Sequence, residues 1–332
     1  MKPDFTVKQK GGSFKILQFT DTQIIDSSQS VREDRLCPEL KEKYKPDNMN
    51  ELLFDDMDKL VRETSPDLIV VTGDIIVGEF DGSGRVLRTF ADKMDSYGVP
   101  WAPVFGNHDN ECVRGVNFQC ELLKKSKRCL FEKGTTTGFG NYTIGITDEN
   151  GKLLRLVFMM DTNGCLYASE KSLEEGVKNT LGFTSDQMTW LENTYRSISK
   201  EYGEVPSVVC FHIVVRDFVE LLNRKGYFEK DNFRFHDITE DENDFGSIHE
   251  MMNPGTDPIS VLSSFKKAHV DGAFFGHSHK NDASVYSDGI RWSFGVKTGR
   301  YDYHEEDKTG GLIMTFTDNA KKLTVTHSKI VR

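Results

Sequence analysis

The sequence holds no Cys-x-x-Cys pair, no long basic tract and no apolar run near the roughly 20 residues that cross a bilayer as a helix. Each absence narrows the field. Its six cysteines, Cys37, Cys112, Cys120, Cys129, Cys165 and Cys210, are scattered, and Cys165 and Cys210 lie in or beside apolar segments. In a chain of this length that pattern leads us to expect free, buried thiols of a reducing compartment rather than a disulfide framework. Lys and Arg number 42 against 52 Asp and Glu, a net charge of −10. Without clustered Lys and Arg to neutralise phosphates, a nucleic-acid duplex is not expected as a partner. A small phosphorylated substrate remains compatible with this acidity, because metal ions can supply the positive charge. The opening residues, Met-Lys-Pro-Asp-Phe-Thr-Val-Lys, contain no apolar signal core. The expected location is therefore cytoplasmic, with no membrane partner. There is no Gly-x-Ser-x-Gly elbow and no phosphate-cradling Walker loop.

What is present is an ordinary soluble composition, 37% hydrophobic and 28% charged over 332 residues, enough to bury a core without staples. Short β-branched apolar runs alternate with longer amphipathic ones. Strands are expected at 14–19, 67–71, 101–105, 141–146, 153–159, 207–211 and 272–275. Helices are expected at 49–62, 86–94, from Thr184 to about 198, and at 258–269; Thr184 with Gln187 forms a capping box at the third of these. The C-terminal third turns to hairpin-like strands near 283–286, 290–294, 311–316 and 323–327. Alternation followed by a β-rich stretch predicts mixed sheets covered by helices. No Pro/Gly/Ser linker, internal repeat or low-complexity segment divides the chain, so a single domain over 1–332 is expected. The polar, acidic stretch at about 223–254 reads as a long inserted loop, a kind that is often functional.

The chemistry sits at the ends of the apolar strands. Five of them end abruptly in metal-ligand residue types: Thr20-Asp21-Thr22-Gln23, Gly73-Asp74, Gly106-Asn107-His108-Asp109, Phe211-His212 and Gly276-His277-Ser278-His279. In sheets built by strand–helix alternation, ligand sites gather just beyond the carboxyl ends of strands. The glycines before Asp74, Asn107 and His277 are expected to let the backbone turn sharply there. Taken singly each piece has a plain alternative: a Gly-Asp turn, an Asx-rich turn, a capped loop, a core histidine at His212. Together, in this order, they point to one site. Oxygen and imidazole donors without thiolate suit Mn, Fe, Zn, Co or Ni. Their number exceeds the need of one ion and suits two, about 3.5–4 Å apart and bridged by a carboxylate and a hydroxide, an arrangement fitted to phosphoryl chemistry. His236, His249, His269, His304 and His327 read as surface or core histidines, although His249 and the Arg300-Tyr301 pair could reach the mouth.

These ordered blocks resemble those of the calcineurin-like metallophosphoesterase superfamily. The runs 14–21, 100–109 and 276–282 are similar to the branch labelled purple acid phosphatase-like in plants and fungi. The resemblance spans roughly 14–316. It implies an α/β (α+β) fold, a four-layer αββα sandwich of two mixed β-sheets flanked by helices, metallo-dependent phosphatase-like. It implies that Asp21 and His279 hold a first metal, with Gln23 at the first-metal position, that Asp74 bridges, and that Asn107, His212 and His277 hold the second. It also implies that His108 faces the phosphate as acid or stabilising cation, with Asp109 hydrogen-bonded to that imidazole. Two departures stand out: Gln23 occupies the place where most members carry His, and Ile25 stands where a tyrosine ligand would give the purple colour.

The function expected from this sequence is hydrolysis of a small phosphate ester by a metal-bridging hydroxide, a phosphomonoester by the branch resemblance, with two divalent transition metal ions as cofactors. A phosphodiesterase with the same site and a non-catalytic metal-binding scaffold are the alternatives. The sequence does not speak to oligomeric state.

Overall fold

Strand β2 (Phe14–Phe19) shows why the core is double. Its Phe14, Ile16, Leu17 and Phe19 are all buried, and it lies inside a five-stranded sheet of order β14-β13-β2-β3-β4. Partners β3 (Leu68–Thr72) and β4 (Trp101–Val104) run parallel to it, while β13 (Gly310–Thr317) and β14 (Lys322–Lys329) form the antiparallel half. The structure is a computed structural model and describes residues 1–29, 48–164, 180–229, 234–238, 243–256 and 258–330. Cys37 and Cys165 lie outside the described residues; Cys112, Cys120, Cys129 and Cys210 are free thiols. Among the described residues no helix is long and apolar enough to cross a membrane.

A seven-stranded sheet faces the first, of order β1-β5-β6-β7-β10-β12-β11. Its strands are β1 (Phe5–Lys8), β5 (Tyr142–Thr147), β6 (Leu153–Met159), β7 (Ser207–Cys210), β10 (Val270–Phe275), β11 (Ser284–Ser287) and β12 (Ile290–Phe294). Side chains on a strand alternate between faces, and β6 divides accordingly. Val157 and Met159 join a first core that surrounds the smaller sheet on both faces and fills the space between the sheets, while Leu156 and Phe158 join a second core on the outer face of the larger sheet. Helices α4 (Ser185–Tyr202), α5 (Arg216–Arg224) and α6 (Leu262–Lys267) cover that outer face through Leu191, Phe218 and Phe265. On the far side of the smaller sheet, α1 (Met49–Thr64), α2 (Arg85–Ser96) and α3 (Val116–Lys125) pack Leu53, Phe90 and Leu123 into the first core. The result is the αββα sandwich of two mixed sheets that the resemblance implies.

Most element boundaries fall within a few residues of the sequence reading, and Thr184 and Gln187 do form a reciprocal capping box. The helix expected at 258–269 is cut to Leu262–Lys267. The Asp217 carboxylate takes the Ser260 hydroxyl (2.6 Å) and the Val261 N–H (2.8 Å) and holds that entry in a non-helical path. Helices α3 and α5 and strand β1 are additions to the elements expected from the sequence. Of the polar stretch at about 223–254, its first two residues end α5, a two-stranded hairpin forms from β8 (Phe228–Glu229) and β9 (Arg234–Phe235), and Ile248 and Met252 are buried in the second core.

The two sheets are tied at one end by Arg155 of β6. Its guanidinium donates to both Asp271 carboxylate oxygens (2.5 and 2.8 Å), its Nε donates to the Ala320 carbonyl in the β13–β14 turn (2.7 Å), and it lies over the Phe316 ring. Arg155 is fully buried while Asp271 is partly exposed. Removing the carboxylate leaves a buried cation without its counter-charge. Asp271→Ala is expected to lower stability by about 2–4 kcal/mol in urea unfolding, below the full cost of a wholly buried pair because Asp271 meets solvent.

Candidate metal centre

Strands β2, β3 and β4 of one sheet and β7 and β10 of the other all deliver their carboxyl ends to the same edge of the sandwich. Backbone bonds lace those ends together: Asp21 N–H donates to the Gly73 carbonyl (3.1 Å), Gln23 N–H to that of Asp74 (2.9 Å), and Gly276 N–H to that of His212 (3.0 Å). Space there is scarce. A Cβ on Gly73 would meet the Gly106 nitrogen and the His212 ring at 2.7 Å, and one on Gly276 would strike the Thr20 hydroxyl and the Asp21 carboxylate. Gly73 also has φ 84°. The expected sharp turn thus holds at Gly73, whereas Gly276 is required by close approach and has no left-handed backbone. The left-handed conformation falls instead on Asp21 (φ 51°), Gln23 (45°), Asp74 (49°) and His277 (73°). Four such non-glycine residues at one mouth mark a place where the fold holds strained backbone.

The side chains converge as two groups. One ligand atom from each of Asp74, His212 and His277 lies within 4.8 Å of the others, and the same is true of Asp21, Asp74 and His279. Asp74 belongs to both. His212 Nε2 is 3.4 Å from Asp74 Oδ2 and 3.2 Å from Asn107 Oδ1, while its Nδ1 is fixed by the Thr72 carbonyl at 2.7 Å. His279 Nε2 is 3.4 Å from Asp21 Oδ1, its Nδ1 bonds the Tyr303 carbonyl (3.0 Å), and its ring stacks on Tyr303. Asp21 Oδ2 accepts the His277 N–H (3.0 Å), and Asp74 Oδ1 accepts the His108 N–H (2.8 Å).

The electrostatics arise from burial of many charges at one point. Against the opposing effect of burial, His279 and His212 hold the Asp21 carboxyl well below the usual range. Asp74 is likewise held low, against burial, by the charges of His212 and His108. Burial works against His212 too, yet the charge of Asp74 pushes it up to about 9. Burial and the charge of His212 pull His277 down to about 4, so its imidazole is neutral and its lone pair is available. Neutral imidazole and ionised carboxylate are the forms that bind metal. Asp21 Oδ1 is buried without a hydrogen bond among the described residues. An unbonded anionic oxygen, neutral imidazole and two overlapping donor groups fit a pair of divalent cations.

Two expectations are corrected by this geometry. Asp109 does not bond the His108 imidazole: its Oδ1 accepts the Ile76 N–H (3.1 Å) and its Oδ2 the Gly106 N–H (2.7 Å), stapling the ends of β3 and β4. The partner of His108 is Glu111, whose Oε2 lies 2.8 Å from Nδ1. Burial would lower His108, but the charge of Asp74 and the bond and charge of Glu111 push it up to about 10. Arg300 forms a bidentate pair with Asp56 (2.7 and 2.8 Å) rather than reaching the mouth; Tyr303 is the aromatic residue beside the histidines. His249 is nearby: its backbone N–H bonds Asn281 and its ring bonds Glu305. Gln23 is fully buried beside Asp21, and its amide oxygen accepts from Lys297 Nζ at 2.5 Å. Burial lowers Lys297 to about 8 although Asp21, Asp302, Asp74 and Glu250 all favour its charge. Glu111 could have been found three residues after His108 in a one-turn helix; nothing in the sequence around Lys297 points to Gln23.

Two sheets whose strand ends gather carboxylates and imidazoles around a shared aspartate define a class of proteins with paired metal positions. The chain belongs to the calcineurin-like phosphoesterase family, whose model matches residues 14–281. It is similar to a protein of Arabidopsis thaliana named "Probable inactive purple acid phosphatase 29", 25% identical and covering 90% of this chain and 74% of that one. A second from the same plant, "Probable inactive purple acid phosphatase 28", is 27% identical over 88% of this chain and 71% of that protein. Among solved structures, a dimetal phosphatase from Danio rerio superposes with a TM-score of 0.49 at 15% identity, covering 95% of this chain and 99% of that one.

The Asp109 staple can be tested apart from any chemistry. Its loss leaves two buried N–H groups without acceptors, at about 1–3 kcal/mol each. Asp109→Ala should therefore lose about 2–5 kcal/mol of unfolding free energy in stripped protein. Asp109→Asn should be nearly as damaging, because its NH2 would face one of the two N–H donors.

Proposed function

We propose that this protein is a dinuclear metallophosphoesterase that hydrolyses a small phosphate ester, with phosphomonoesters as the preferred class. The observation that carries this reading is the pair of donor groups overlapping at Asp74, with the His108 backbone bonded to that same carboxylate. Asp21, Asp74 and His279 would hold one ion, beside Gln23, and Asp74, Asn107, His212 and His277 the other. Their oxygen and nitrogen donors suit Mn, Fe, Zn, Co or Ni. When bound, such a pair supplies a nucleophile that is deprotonated near neutral pH and neutralises charge on the phosphoryl oxygens.

The chain's own residues do the rest. With Nδ1 of His108 engaged by Glu111, Nε2 is the nitrogen that holds a proton towards the leaving alkoxide. Glu111 also favours the protonated ring, so His108 starts as an acid. Asp109 acts one step back, fixing the backbone from Gly106 to His108. Tyr303, stacked on His279, restricts that ring to one orientation.

A non-catalytic scaffold is favoured by one observation, the Gln23 amide oxygen held by Lys297, and the plant relatives' names also carry the word inactive. Turnover of p-nitrophenyl phosphate and of its bis ester with added Mn²⁺ separates the readings. Hydrolysis of the monoester ahead of the diester is expected; the reverse order makes it a diesterase, and no turnover of either supports the scaffold. Elemental analysis should find close to two first-row transition ions per chain, or one tight and one exchangeable. His108→Ala should keep those ions and lose on the order of 10²- to 10⁴-fold in kcat on an alkyl phosphate, with a smaller loss on the p-nitrophenyl ester, whose leaving group needs little protonation.

A further inference from the structure

Lys297 is an uncommon occupant of a buried site: its side chain, in the segment after β12, is almost fully enclosed rather than on the surface. Its Nζ donates to the Gln23 amide oxygen (2.5 Å) and to the Asp21 backbone carbonyl (3.0 Å). The segment that bears it is laced to the Asp21 loop. Thr298 N–H bonds the Thr20 carbonyl (2.9 Å), Gly299 N–H bonds that of Asp21 (3.1 Å), and the Thr298 hydroxyl accepts the Thr20 N–H (3.1 Å). The Lys297 backbone carbonyl accepts Gly310 N–H (3.0 Å) from the adjoining strand. The ammonium is therefore fixed by its surroundings.

An ammonium has donors and no acceptor, so the amide oxygen of Gln23, and not its NH2, must face Lys297. The NH2 end is buried without a hydrogen-bond partner among the described residues, and an amide nitrogen has no lone pair to give a metal. The oxygen that could ligate thus already accepts from a positive charge, which repels a second cation at its remaining lone pair. The charges of Asp21, Asp302, Asp74 and Glu250 all favour the ammonium, and Asp21, whose backbone carbonyl Lys297 bonds, belongs with Asp74 and His279 to one donor group.

We infer that Lys297 is a resident cation of the first-metal position: it withdraws Gln23 from the ligand set, partly neutralises Asp21 and Asp74, and makes this the weaker and more exchangeable of two metal positions. The inference rests on the two-metal reading above. Lys297 is a positioning residue that acts through Gln23 and through its charge. Like-charge repulsion at short range in a poorly screened site weakens a divalent ion bound to Asp21, Asp74 and His279. The ion held by Asp74, Asn107, His212 and His277 shares only Asp74 with that position.

The test is calorimetric titration of Mn²⁺ into chelator-stripped full-length protein. Wild type should show a tight step and a weak step. Lys297→Met, which frees the Gln23 oxygen and removes the charge, should strengthen the weak step roughly tenfold or more and leave the tight step within roughly threefold. Lys297→Gln can still donate to Gln23 and guards against a folding defect in the first variant; it should strengthen the weak step by an intermediate factor. A merely structural lysine would lower the melting temperature of stripped and loaded protein alike. The inference instead requires that stripped Lys297→Met melt lower than stripped wild type while gaining more on Mn²⁺ addition. A weak step unchanged or weakened in both variants, beside an intact tight step, overturns the role of Lys297 and leaves the two-metal reading standing. Absence of any binding step in all three proteins overturns the two-metal reading and the inference with it.

Discussion

Everything at this edge of the sandwich is arranged around one carboxylate that the fold keeps from water. Asp74 is 1% exposed, and an isolated charge so placed is very costly. The surroundings answer that cost with donors and cations: the His108 N–H at 2.8 Å, the His212 ring at 3.4 Å and the charge of His108. Because Asp74 sits where the ends of both sheets meet, satisfying it requires residues from the ends of β4 and β7 at once. The buried charge therefore does more than accept hydrogen bonds. It specifies which strand ends must be neighbours, and the order β2-β3-β4 facing β7-β10 supplies them.

Holding five strand ends so close leaves the backbone few choices. Asp21, Gln23, Asp74 and His277 adopt left-handed conformations that cost of order 1 kcal/mol or more apiece for residues with a Cβ. Backbone bonds across the loops, from Asp21 to Gly73 and from Gln23 to Asp74, keep them there. Two hydrophobic cores stand behind these loops, one on both faces of the smaller sheet and one beneath α4, α5 and α6. Packing of that extent can fix loops in geometries they would not choose, which is how an αββα sandwich converts apolar burial into pre-organised donors.

The division between what is legible in the residues and what is not tracks the range of the interactions. Strands such as Phe14–Phe19 and Leu153–Met159 announce themselves by buried, β-branched or aromatic runs, and the ligand types that end them are local in the chain. The convergence of Asp21, Asp74, His212, His277 and His279 needs β2 beside β3 and β7 beside β10 as parallel neighbours, and the two sheets packed with those ends at one edge. Helices α3 and α5 escape a reading by pattern: Val-Asn-Phe-Gln-Cys-Glu-Leu-Leu is weakly periodic, and α5 begins only four residues after His212. The partner of His108 is a choice between two nearby acids, and proximity in sequence picks the wrong one. Asp109 is adjacent, yet backbone donors claim it, and Glu111 lies one 3₁₀ turn on. Lys297 meets Gln23 across 274 residues of sequence, and no periodicity or motif carries that information.

Gln23, standing where the family resemblance implies His, therefore cannot be weighed as a single substitution. A neutral imidazole replaced by a neutral amide would leave the charge of the site unchanged and merely weaken one donor. Here the amide comes with a buried ammonium, so the position carries one more positive charge while the carboxylates Asp21 and Asp74 stay the same. Nothing equivalent intrudes on the other group among the described residues: His277 is kept neutral, His212 is oriented by the Thr72 carbonyl, and His108 keeps Glu111. The departure at Gln23 that the resemblance implies thus bears on one of the two donor groups, and it alters how that group is charged while leaving the Asp74, His212 and His277 group intact.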